Sequence, residues 1–177
     1  QKDFKIFYDK NDKASSKNYA SIIDPSKYLR LEHLSPHYHQ PQECRDLLVF
    51  EPVIIHDALP DDPVMGEEIF GPILPIITVM NEDHALKIIH QIPPPLSIYV
   101  FTRDSRIKDK FVKSTRSGSI CFNDCSVQFL HSGLPFGGVG QSGTGRLHGK
   151  SGFLSFTDER VVFRQRIGFT TAKLLYP

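Results

Sequence analysis

The sequence predicts an α/β fold, a parallel sheet with crossover helices, and three observations carry that prediction. Residues 96–101 form an apolar run broken only by Ser97, the pattern of a strand covered on both faces. Asn81-Glu82-Asp83 and Asp104-Ser105 are helix-start signals, each followed by apolar residues at helical spacing. With the apolar stretches 73–80 and 119–122, the chain reads strand, helix, strand, helix, strand, which folds as a parallel sheet with right-handed crossovers.

Taken in order, residues 1–65 read as loosely organised, with a helical stretch at 28–34 opened by Asp24-Pro25 and a polar segment at 35–46. The first patterned strand is predicted near 75–80. A helix over 82–91 follows, with acidic residues suited to its dipole. Its apolar face is Ala85, Ile88, Ile89 and Ile92, and Pro93-Pro94-Pro95 forbids continuation. A second strand is predicted at 97–102 and a second helix at 104–116. In that helix Ile107 and Phe111 share a face, and Gly118 stops it before a third strand at 118–122. Eight of the 12 glycines crowd between Gly133 and Gly152, so a long glycine-rich loop is predicted there, of the kind that carries function. A short segment at 150–156 and an edge strand at Arg160 to Arg166 complete the chain. The expected organisation is a single domain over 1–177: a loose N-terminal stretch at 1–65, a core with its loop at 66–156, and a C-terminal oligomerisation strand and tail at 157–177.

Composition narrows the function classes. With 40% hydrophobic and 23% charged residues over 177 positions, the chain is of globular type and global disorder is excluded. A formal net charge of +1 leaves no field to attract nucleic acid or an anionic membrane. No stretch approaches the ~20 apolar residues of a membrane span. The N-terminal Gln1-Lys2-Asp3-Phe4 has no apolar signal core. Three cysteines, Cys44, Cys121 and Cys125, are an odd set without disulfide-scaffold spacing, which fits a reducing, cytoplasmic setting.

Three local patterns invite chemistry. Gly138-x-Gly140-x-x-Gly143, with Asp158 downstream, copies the form of a dinucleotide fingerprint. Leu134-Pro135-Phe136-Gly137 precedes it in place of a buried strand, and Gly145 and Gly149 interrupt the residues after it, so the helix that would hold a pyrophosphate is missing. His33, His37, His39 and Cys44 are metal-capable but match no ligand spacing, and they read as a polar surface loop, with no metal site expected. Cys121, between Ile120 and Phe122, reads as a buried small hydrophobe, whereas Cys125 lies just past a strand end, where α/β proteins place their ligands.

Two stretches are far more specific: Glu67-Glu68-Ile69-Phe70-Gly71-Pro72, and the run from Leu134 through Pro135-Phe136-Gly137-Gly138-Val139-Gly140-Gln141-Ser142-Gly143 to Gly145. They resemble two signatures of the aldehyde dehydrogenase superfamily. Leu74-Pro75-Ile76, Ser117-Gly118-Ser119, Asn123-Asp124 and Leu147-His148-Gly149-Lys150 are similar to the class 3 branch, which includes the fatty aldehyde dehydrogenases. The likeness is continuous from about Pro63 to Phe156. Gln128, where class 3 members often carry His, and Leu147, commonly Tyr, depart from it.

The resemblance implies NAD or NADP as cofactor and an aldehyde as substrate, oxidised to a carboxylic acid. By the same resemblance Glu68 would accept hydrogen bonds from the nicotinamide-side ribose hydroxyls, and Phe70 would pack near the nicotinamide. Asn123, Phe129, Leu130 and Phe136 would line the aldehyde pocket, with His148 near its mouth. A nucleophilic cysteine after a Gly-Gln pair, a general-base glutamate and the nucleotide-holding strand-turn-helix are not found in the sequence. It therefore resembles the C-terminal portion of the family, expected to be inactive alone, with poor nucleotide affinity. The alternative is a non-catalytic binding or assembly module that pairs with a full-length relative; a homo-oligomer, or association with such a relative, is expected through the 160–166 strand.

Overall fold

The computed structural model describes residues 19–165 and Gly168. Contacts divide the chain into two compact units, 1–92 and 93–177, where the sequence texture suggested one domain. The division falls at the proline run 93–95.

In the first unit, helix α1 (Pro25–Leu34) begins at Asp24, whose side chain accepts from the Lys27 N–H. That bond satisfies one of the orphan donors of the first turn. Ser26 and Lys27 together hold the Asp24 carboxyl below its ordinary range, the Ser26 hydroxyl first. A short helix α2 (Gln42–Asp46) buries Cys44. Strand β1 (Val53–Ile55) pairs in parallel with β2 (Ile73–Pro75), Val53 opposite Ile73. Between them lies a 3-10 turn at Pro63–Met65. Tyr28, Leu31, Leu34, Phe50, Val53, Val64 and Ile73 form one buried cluster. The expectation of a loose 1–65 is therefore corrected for its described residues. Periodicity misses the cluster because the buried residues come from short elements separated by prolines 36, 41, 52 and 63.

Strand β2 is shorter and earlier than the 75–80 expected; its ladder ends with Ile76 donating to the Ile55 carbonyl at 2.9 Å, and Val79 and Met80 are exposed. Helix α3 (Glu82–Ile89) starts at Asn81, which accepts from the His84 N–H. Leu86 is its buried residue, Ala85, Ile88 and Ile89 of the expected face are half-buried, and Ile92 lies beyond its end.

In the second unit, β3 (Ser97–Val100) and β4 (Ser119–Phe122) pair in parallel from Ser97–Ser119 to Val100–Phe122, with helix α4 (Ser105–Ser114) as the crossover that a parallel pair requires. Asp104 caps α4 by accepting from Arg106 N–H, and Phe111 is its buried anchor. The helix ends at Thr115, before Gly118. Gly118 serves a different need: a Cβ there would meet the Leu96 carbonyl oxygen at 2.6 Å and the Gly137 backbone, so only glycine allows the glycine loop to touch the sheet. Of the three strands expected as neighbours, β3 and β4 pair with each other, whereas β2 pairs with the unexpected β1.

Beyond β4 come one turn of helix, α5 (Val127–Leu130), a 3-10 turn at Gly140–Ser142 and helix α6 (Gly149–Ser155). The edge strand expected at 160–166 does not form within the described residues, where 158–165 run without regular structure; Arg166 lies outside them. Val161, Val162 and Phe163 are exposed. An edge strand acquires its ladder hydrogen bonds only from a neighbouring strand, and among the described residues the strand pairings are β1 with β2 and β3 with β4.

Candidate functional site

The candidate residues fall into two groups, one in each unit. The first is the segment 67–72. Ile69 packs against the buried cluster, while Phe70, next along, adopts a left-handed backbone with φ 45° and leaves its side chain 79% exposed. A bulky residue reaches that region only when its surroundings impose it. Gly71 follows, and Leu31 occupies the space a Cβ there would need. Arg30 on α1 donates to the carbonyl oxygens of Glu68, at 3.2 Å, and of Ile69, and its Nη1 lies 3.3 Å from the Glu67 carboxylate. Glu68 itself is exposed. Sequence reasoning gives no sign of Arg30, which lies 38 residues before Glu68 in a stretch without a motif.

The second group gathers after β4. Asn123 has φ 61°; its N–H donates to Val100 at 3.0 Å and its Oδ1 accepts from Thr102 N–H at 2.8 Å. Asn123 thus ties the ends of β3 and β4 together, a positional duty that the pocket assignment did not foresee. Phe129 meets Phe136 edge-on, centroids 5.0 Å apart, and the His148 ring lies 6.0 Å from both, nearly parallel to Phe136. Such geometries suit the ring quadrupoles. Leu130, on the same turn as Phe129, is 76% exposed.

The glycine loop explains how residues distant in sequence become neighbours. Phe136 and Leu147 exchange backbone hydrogen bonds at 3.0 and 2.7 Å, closing a loop whose interior is held by Arg146 donating to the carbonyls of Gly138 and Gly145. Ser142 Oγ accepts from Val139 N–H and donates to its carbonyl. The loop therefore folds as a tight knot that sets Phe136 beside His148, and no strand leads into Gly138. His148, at φ 70°, starts α6, and its Nδ1 is buried with no hydrogen-bond partner.

Gln128 points into the sheet. Its Nε2 donates to Tyr99 Oη at 3.2 Å and to Ser97 and Ser119 Oγ at 3.4 Å, and those two serines, opposite each other across the strands, are 2.8 Å apart. The Gln128 bond holds the Tyr99 phenol below its ordinary pKa, against desolvation. Cys44 is buried, Cys121 half-buried rather than fully buried, and Cys125 exposed. Among the described residues no group of three or more His, Cys, Asp or Glu could hold a metal ion, and no helix is long and apolar enough to cross a membrane.

Phe70 in the first unit, and Asn123 and His148 in the second, stand among the six non-glycine residues with positive φ in the described structure. Comparison with known proteins supplies the decision: the aldehyde dehydrogenase family model matches residues 11–162. The chain belongs to the aldehyde dehydrogenase family.

Within that family it is 47% identical to Aldehyde dehydrogenase family 3 member F1 of Arabidopsis thaliana over 70% of its own length, and 38% identical to Aldehyde dehydrogenase family 3 member A2 of Mus musculus over 98%. It spans 25% and 36% of those relatives. The class 3 likeness read from the motifs is thus matched by family 3 aldehyde dehydrogenases. Among solved structures it superposes on the substrate-bound state of Staphylococcus aureus AldH with a TM-score of 0.79 and 32% identity, covering 97% of this chain and 40% of that one. The same fold, at 20% identity and TM-score 0.71, recurs in a Staphylococcus aureus betaine aldehyde dehydrogenase solved in complex with NAD+.

Proposed function

We propose that this chain is the C-terminal portion of a class 3-type NAD(P)-dependent aldehyde dehydrogenase and contributes the cofactor-facing and substrate-lining residues of that enzyme. The observation that carries the reading is the presentation of Glu68 and Phe70: an exposed carboxylate and, two residues on, an exposed ring held out by a left-handed backbone. An ionised carboxylate is a strong acceptor for a pair of ribose hydroxyls, and a flat apolar ring suits the nicotinamide face. The residues present therefore fit a nicotinamide dinucleotide, and both NAD and NADP carry the moieties they would touch. When bound, that group supplies the acceptor for a hydride.

The chain's own residues orient and exclude. Phe129 and Phe136 offer an apolar wall to an aldehyde, with His148 beside it, and such a wall keeps water from the reacting carbonyl. The thiolate and the general base must come from outside this sequence. Cys44 is buried, and neither Cys121 nor Cys125 follows a Gly-Gln pair. The assembly-module reading draws on Val161, Val162 and Phe163, exposed in a row, and it is compatible with a partner completing the site.

The test is an absorbance assay for NADH or NADPH with aromatic and long-chain aldehydes, using the 177-residue chain beside Cys121→Ala and Cys125→Ala. No reduction is expected, because loss of a covalent nucleophile costs many orders of magnitude. Turnover abolished by one cysteine change would place the nucleophile within this chain and overturn that element of the reading.

A further inference from the structure

We infer that Arg30, on α1, is the positioning residue that holds Glu68 and Phe70 in their presented conformation. The inference rests on the cofactor-facing reading of those two residues. One guanidinium reaches three consecutive residues: the Glu67 carboxylate at 3.3 Å, the Glu68 carbonyl at 3.2 Å and the Ile69 carbonyl. Its planar fork of donors is suited to fixing several oxygens at once.

The contact with Ile69 has a direct conformational consequence. The Ile69 carbonyl belongs to the peptide plane that enters Phe70, so fixing its orientation fixes one side of the torsion that stands at φ 45°. On the other side of Phe70, Gly71 meets Leu31, the residue next to Arg30 on α1 and itself fully buried. Two adjacent helix residues thus grip the chain before and after Phe70. A left-handed phenylalanine is unfavourable by itself, and this double grip is what imposes it.

The charge pairing with Glu67 has a second effect. It occupies the neighbouring carboxylate and leaves the exposed Glu68 carboxylate free of that cation. Lysine at position 30 would keep the positive charge near Glu67 but could not span two carbonyls with a rigid fork.

Nuclear magnetic resonance on the whole isotope-labelled chain tests this, comparing wild type with Arg30→Lys, Arg30→Gln and Glu68→Gln. Without ligand, wild type is expected to give the strong intraresidue HN–Hα cross-peak of a left-handed Phe70, and both Arg30 variants to lose it while the signals of Tyr28, Phe50 and Val53 stay in place. On titration with NAD+ or NADP+, Arg30→Lys and Glu68→Gln should each weaken binding by about tenfold, and the double variant should be no weaker than either one. Retention of the Phe70 cross-peak in both Arg30 variants, or additive losses in the double variant, would overturn the proposal. So would global unfolding of both Arg30 variants, which would make Arg30 a general structural residue. If wild type and Glu68→Gln respond identically to nucleotide, the cofactor reading fails, and the ligand-free cross-peak still decides whether Arg30 sets the segment.

Discussion

Leu31 fills the space beside Gly71 in which a side chain would begin, its Cδ1 lying 2.7 Å from the position of a Cβ. Leu31 is fully buried, so a side chain at position 71 would displace it within a packed core, and the glycine is favoured by packing rather than by backbone torsion.

Gly71→Ala is therefore expected to destabilise the chain by about 1–3 kcal/mol, the usual range for overpacking a core. Urea unfolding followed by circular dichroism measures it. Trimming Leu31 to Ala in the same chain should make the glycine change nearly neutral, since the two substitutions compete for one volume. Equal losses with and without Leu31 would show that the clash is not the cause.

Tyr28 gives a pH signature. Burial, followed by the nearby Glu32 charge, pushes its phenol up to about 12 from an ordinary 10.0, and its hydroxyl donates to the Val49 carbonyl at 3.4 Å. The folded state thus holds the Tyr28 proton more tightly than the unfolded chain. Its contribution is fully present below pH 10 and is lost as pH rises toward 12. The urea midpoint should fall across that window in wild type and fall less in Tyr28→Phe. A parallel decline in the two would assign the base sensitivity to other groups.

Capping chemistry made much of this fold legible. Asn81 and Asp104 are local signals, and each accepts the backbone N–H expected of a cap. The apolar run ending at Phe101 pointed to β3 because its apolar residues are consecutive, but the strand is not covered on both faces in this chain: Val100 is buried while Leu96, Tyr99 and Phe101 are exposed. On α3 the expected Ala85, Ile88 and Ile89 are half-buried, and spacing alone does not single out Leu86 as the residue that goes deepest. Strand β1 was missed because Pro52 interrupts its approach; Val53-Ile54-Ile55 before His56-Asp57 was the available signal. Through the resemblance, the motifs and their neighbours named Phe70 in the first unit and Phe136 and His148 in the second. Arg30 and the Gln128 contacts with Ser97 and Ser119 arise only from folding, since each joins residues far apart in sequence.

Val161, Val162 and Phe163 are 90%, 63% and 75% exposed, a contiguous apolar surface that favours association. Sedimentation at about ten to a hundred micromolar, where weak pairing is populated, should detect a dimer or larger species, and Val162→Lys should shift it toward monomer. A monomer throughout that range in wild type would remove the 160–166 segment as an assembly element.

The measurement that bears most directly on the central claim is steady-state turnover of a chimera. In it this chain replaces the matching segment of a family 3 aldehyde dehydrogenase whose own earlier segment carries the thiol and the general base. The chimera is predicted to oxidise aldehydes with NAD(P)+, and Glu68→Gln to lower kcat/KM by about ten- to a hundredfold through lost cofactor positioning. A folded chimera that binds nucleotide yet turns over no aldehyde, or one in which Glu68→Gln is as active as its parent, would contradict the account.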